Sequence, residues 1–139
     1  MGRKNKVFNR TKKVMRKDID LGFKKHPLTG DLVLKTGPAA IRQSLINIVR
    51  TNFYDRGFNV EVGTNTDFHL FENVSMVTTN HLKLNITNSI KNFEPDVELV
   101  DVKVFDNKID ENTIVVKIYY VPLNSTTVEE LSISLERIR

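Results

Sequence analysis

The chain has 139 residues, 27% of them charged and 40% hydrophobic, which suits one soluble globular domain. Its net charge of +4 is the sum of +8 over residues 1–25 (ten Lys/Arg, two acids) and −4 over residues 26–139 (eleven basic, fifteen acidic). The absence of cysteine excludes disulfide scaffolds, thiolate zinc sites, iron–sulfur clusters and cysteine nucleophiles.

Residues 1–17 carry eight cations and no acid: Arg3, Lys4, Lys6, Arg10, Lys12, Lys13, Arg16 and Lys17. So few apolar side chains cannot offset the entropy of ordering, so this stretch reads as a basic arm that orders on a partner, or as a solubilising tail. The start lacks the apolar h-region of a secretory signal, and no apolar run is long enough for a membrane helix. The chain is expected to be made and used in a cytosol, without a membrane partner.

From residue 18 on the sequence reads as one domain. Ile19, Leu21 and Phe23 alternate with Asp18, Asp20 and Lys24, the period of a short strand. His26-Pro27-Leu28-Thr29-Gly30-Asp31 predicts a turn, and Leu32-Val33-Leu34 a second short strand. Thr36-Gly37-Pro38 opens a helix over about 38–53, with Pro38 at the first helical position. Its apolar stripe is Ile41, Leu45, Ile48, Val49 and Phe53, with Arg42, Gln43, Asn47 and Arg50 off it. Residues 54–72 are irregular, punctuated by Gly57 and Gly63, with Leu70-Phe71 expected to anchor the loop in the core.

A second helix is predicted over about 77–93 on the stripe Leu82, Ile86, Ile90 and Phe93. Pro95 ends it by disfavouring the helical region for Glu94. Three strands follow, on Val100-Val102-Val104, Ile114-Val116-Ile118-Tyr120 and Leu131-Ile133-Leu135. Turns are expected at 106–112 and around Pro122 and Asn124-Ser125-Thr126. Short connections imply an antiparallel meander, so the fold class is α+β: two helices packed on an antiparallel β-meander, behind a basic N-terminal arm. The middle strand is apolar on both faces except at Lys117, which leads us to expect cover on both sides.

Catalytic signals are poor. His26, His69 and His81 have no spacing that joins two ligands on one metal, and there is no nucleophile elbow or phosphate loop. No catalytic residue, metal or cofactor is therefore expected. A glycosidase would need two facing carboxyls. Glu72, Glu94, Asp96 and Glu129-Glu130 are candidates, but adjacent strand residues point to opposite faces. The arm offers two readings. It suits salt-dependent binding to phosphates of a nucleic acid, or an acidic groove of a protein partner. With Phe8 its sole aromatic, base stacking is barely available.

Four motifs occur in a fixed order. Thr51-Asn52-Phe53-Tyr54-Asp55-Arg56 follows the first helix; Gly63 comes next, then Leu70-Phe71-Glu72, then Phe93-Glu94-Pro95-Asp96. The order resembles the gene product 25-like baseplate wedge family of contractile phage tails, which also supplies a subunit of type VI secretion baseplates. That family's pattern is a helix ending in T-x-x-G-E-R, a glycine, L-F-E, and a second helix ending in E-P-R before a meander. The resemblance covers about residues 19–136. Tyr54 stands where the family has glycine, Asp55 where it has glutamate, and Asp96 where it has arginine; Arg56 is kept.

The resemblance implies a structural subunit of the virion, not an enzyme, although some members carry a lysozyme label. Its partners would be other wedge and hub proteins and the tail sheath protein, for which it would be the assembly platform. Arg56, Glu94, Pro95 and Asp96 are the motif positions expected to bind partners, with Arg56 also a candidate internal ion-pair partner for Glu94 or Asp96. Unpaired strand groups near 113–121 and 128–136 are candidates for strand addition by a neighbour. The alternative is a small nucleic-acid-binding protein acting through the arm.

Overall fold

A computed structural model describes residues 15–67, 76–106, 113–123 and 125–136. Its elements are β1 (Lys17–Ile19), β2 (Leu34–Thr36), α1 (Pro38–Arg50), α2 (Met76–Phe93), β3 (Val97–Asp106), β4 (Thr113–Pro122) and β5 (Glu129–Glu136). The chain separates into two compact units that divide after Ala40.

The first unit is a hairpin. β1 and β2 pair antiparallel, with Lys17 opposite Thr36 and Ile19 opposite Leu34. The strand expected over 18–25 is shorter, because Asp20 folds back on the chain. Its carbonyl accepts the Phe23 N–H at 2.9 Å and its carboxylate accepts the Gly22 N–H at 3.2 Å. Pairing resumes at Lys25 and Leu32. The turn at 26–31 is present: the His26 N–H bonds the Asp31 carbonyl at 2.7 Å. His26 Nδ1 accepts the N–H groups of Leu28 and Thr29, both at 3.3 Å, which gives this histidine a turn-capping role.

The second unit holds the main core. α1 ends at Arg50, a cation suited to the negative end of the helix dipole. It stops short of Phe53 because the backbone turns there into a loop, described below. Ile41, Leu45, Ile48 and Val49 are buried as the helical spacing requires. Gln43, placed off the stripe by sequence, is also buried. α2 spans the predicted range and buries Leu82, Ile86 and Ile90 together with the small polar residues Thr78 and Ser89.

The sheet has the order β3-β4-β5, antiparallel throughout. A bulge interrupts β3 between Leu99 and Asp101. Ile114, Val116, Ile118 and Tyr120 of β4 and Leu131, Ile133 and Leu135 of β5 face the helices and complete the core. On the opposite face the alternate β4 residues Val115, Lys117, Tyr119 and Val121 are half-buried, so cover on that side is partial among the described residues. Lys103 and Lys117 lie directly opposite each other, an arrangement that normally repels. Each has a compensating partner: Lys117 Nζ is 2.9 Å from Glu130, and Lys103 Nζ sits 5.4 Å above the Tyr119 ring. The Glu130 contact raises the Lys117 pKa and lowers that of Glu130.

Candidate functional site

The loop after α1 is built by backbone carbonyls that a helix end leaves without internal partners. The Val49 carbonyl accepts the hydroxyls of both Thr64 and Thr66, each at 2.8 Å, and the Thr51 carbonyl accepts the Thr64 N–H at 2.9 Å. Asn52 bridges the two sides of the loop. Its side chain donates to the Asp67 carboxylate at 2.6 Å, and its own N–H donates to Asp55 at 2.8 Å. Gly63, at φ +142°, packs against the Thr51 and Asn52 carbonyls, and its own carbonyl accepts the Ser89 hydroxyl from α2. The first two sequence motifs thus form one polar knot that ties the end of α1 to α2.

Tyr54, where the resemblance implies a glycine, has φ +71°, the left-handed region that glycine favours. Its N–H still bonds the Val60 carbonyl at 3.0 Å, so the turn forms despite the side chain. Since Tyr54 is exposed, Tyr54→Gly removes strain and little packing. Relief of about 1–2 kcal/mol against an unfolded-state entropy loss of about 0.4–1 kcal/mol predicts a gain of up to about 1.5 kcal/mol in urea unfolding. The Asp55 carboxylate caps the Asn52 N–H within the same turn.

The third motif, Leu70-Phe71-Glu72, lies outside the described residues, as do His69, most of the 106–112 turn and the arm up to residue 14. Of the arm cations, Arg16 and Lys17 are described; the Arg16 carbonyl accepts the Gly37 N–H at 2.9 Å. The fourth motif sits where α2 meets β3. The Glu94 N–H closes the last turn on the Ile90 carbonyl at 2.9 Å, and the Asp96 carbonyl accepts the Leu123 N–H at 3.0 Å. Pro95 is exposed, Asp96 half-buried, and Glu94 only 1% exposed. Arg56 is exposed in the loop, and among the described residues no ion pair joins it to Glu94 or Asp96.

An open groove of about 430 Å³ runs between the loop and α2, lined by Phe53, Tyr54, Val60, Asn85, Asn92 and Phe93 among others. Among the described residues, the one acid on its wall is Glu61. Sequence reasoning did not find this groove. Asn85 and Asn92, seven residues apart on one face of α2, were the available signal.

Tyr120 and Glu129 form a second polar pair that sequence reasoning missed. The Tyr120 hydroxyl donates to Glu129 Oε2 at 3.0 Å. Burial, then that contact, push the tyrosine pKa up to about 12. A raised folded-state pKa makes the contribution full below the unfolded value of about 10. It declines as pH rises through about 12. Comparing wild type with Tyr120→Phe isolates this effect, because the substitution should remove that part of the alkaline stability loss.

Residues 35–126, about two-thirds of the chain, match the sequence pattern of the family described as baseplate wedge protein gp25. The chain belongs to that family. This gp25-family member is 28% identical over 106 residues to baseplate wedge protein gp25 of Enterobacteria phage T4, covering 76% of this chain and 80% of the relative. Its fold is shared with a candidate tail lysozyme from Geobacter sulfurreducens (TM-score 0.68, 19% identity, 77% of this chain and 96% of that one). It is also shared with a chain of the anti-feeding prophage baseplate (TM-score 0.62, 19% identity, 90% and 88%). Family membership gives the gp25-family chain a structural role in a phage baseplate, with other baseplate proteins as its partners. Among the described residues, no helix is long and apolar enough to cross a membrane.

Proposed function

We propose that this gp25-family chain is a non-enzymatic wedge subunit that joins other wedge and hub proteins and presents a platform for the first ring of tail sheath. Family membership is the observation that carries the reading. The sheet supplies a physical mode. The stretch 113–121, expected to offer an edge, is instead the central strand β4 with partners on both sides, while β3 and β5 each pair with β4 alone among the described residues. β3 is blunted by its bulge and by Lys83, whose Nζ lies 3.0 Å from Asp101. β5 pairs with β4 in unbroken register, and its outer row is Glu130, Ser132, Ser134 and Glu136. An unbulged edge is the better template for a neighbour's strand, so β5 is the edge we assign to strand addition.

The buried Glu94 sets the geometry at the end of α2, while Pro95, Asp96 and Arg56 offer contact positions. The basic arm over residues 1–17 acts as a tether, and assembly takes place in the host cytoplasm. The dispositions of the acids favour a non-enzymatic reading. Glu129 is bonded by Tyr120 and Glu130 by Lys117, so neither is poised as a free acid–base group. Tails assembled without this chain are expected to show bare tubes in electron micrographs. Sheathed, contractile tails in its absence, or peptidoglycan cleavage by the purified chain, would overturn the reading.

A further inference from the structure

The hairpin is patterned inside out. Asp18 of β1, Asp20 just after it and Lys35 of β2 are half-buried while Lys17 is exposed, and Asp20 is held by Lys35 at 3.0 Å. The apolar residues point outward: paired Ile19 and Leu34 are 46% and 51% exposed, and Leu32 beyond them is also exposed. Phe23 is 69% exposed and is held at φ +47°, a conformation uncommon for a bulky residue. A lone two-stranded hairpin is marginal in water, and an exposed apolar face on one marks an interaction surface.

The charges around this face say what covers it. Lys17 and Lys25 share it with Ile19 and Leu32 by strand alternation and pairing, and both are exposed. Among the described residues no strand position on that face carries a carboxylate; Asp18 and Asp20 fall on the other side. A second copy of the same hairpin would bring these lysines against one another. We propose that the Ile19–Leu34 face docks an apolar segment of another baseplate protein whose border carries aspartate or glutamate. This surface is separate from the β5 edge, and the inference rests on the wedge reading only in placing the partner within the baseplate.

The cysteine-free sequence makes the test direct. Ile19→Cys and Leu34→Cys variants of the full chain are labelled with a maleimide, free and in purified baseplates. Labelling should slow at least tenfold in the particle. A carbodiimide should then couple Lys17 or Lys25 to a carboxylate of a different protein, read by mass spectrometry. Equal labelling in both states overturns the inference and leaves the wedge reading standing, as does protection without such a coupling. Coupling only to a second copy of this chain also overturns it. So does protection of the free chain by phosphatidylglycerol vesicles or by raised concentration alone. A chain that never enters the particle overturns the wedge reading and this inference together.

Discussion

Gly63→Ala is expected to destabilise the chain by roughly 3 kcal/mol or more, near the top of the range for single substitutions. A Cβ built at this position lies 2.5 Å from the Thr51 carbonyl oxygen, 2.8 Å from the Asn52 carbonyl carbon and 2.9 Å from its oxygen. All three are backbone atoms, so no side chain can swing away to make room. The backbone there, at φ +142°, is also disfavoured for any residue with a Cβ. Moving the loop outward would pull Thr64 from the Val49 carbonyl and the Gly63 carbonyl from Ser89. Urea titration should show a lower midpoint with little change in slope. A loss under about 1 kcal/mol would mean that the loop relaxes far more readily than this packing allows. The contrast with Tyr54→Gly is informative: two positions in one loop, both at positive φ, with opposite expected signs.

Ile86→Ala should be of similar size, about 2–5 kcal/mol. α2 has 18 residues, yet the large side chains it buries fully are only Leu82, Ile86 and Ile90. Ile86 is the middle one and has no exposed surface. Its truncation leaves a cavity flanked by branched side chains, which collapse poorly into a gap of that shape. Because α2 packs on β3, hydrogen exchange should quicken along the helix and that strand more than along β5. Lys91→Ala, on the exposed side near the end of α2, should change stability by less than about 0.5 kcal/mol and serves as the control.

The elements legible in the sequence were those fixed by periodicity. Leu82, Ile86 and Ile90 recur at helical spacing, and Ile114, Val116, Ile118 and Tyr120 recur at strand spacing; both sets are core. Burial acts on such residues one at a time, so a local pattern suffices to find them. The loop after α1 is different. Its shape depends on Thr64 and Thr66 reaching Val49, and on Asn52 reaching Asp67, across at least fifteen residues of chain. A threonine in a loop reads the same whether it faces water or a helix carbonyl. The motif order found the right segments, but not that they bind each other. Gln43 escaped for a related reason, since polarity placed it on the outer face while the packing of α1 buried it. The hairpin shows the opposite failure. Its alternation holds only as far as Ile19, where Asp20 turns the chain, and alternation in any case fixes only which residues share a face, never which face meets solvent.

The bulge in β3 has a consequence for the chain before it meets its partners. Two copies meeting β5 against β5 would fuse into one doubled sheet, whose outer rims are then both bulged β3 strands. Neither rim accepts a further copy easily, so the accident ends as a closed pair instead of growing into a fibre. The bulged β3 rim thus acts as a stop against polymerisation through β5.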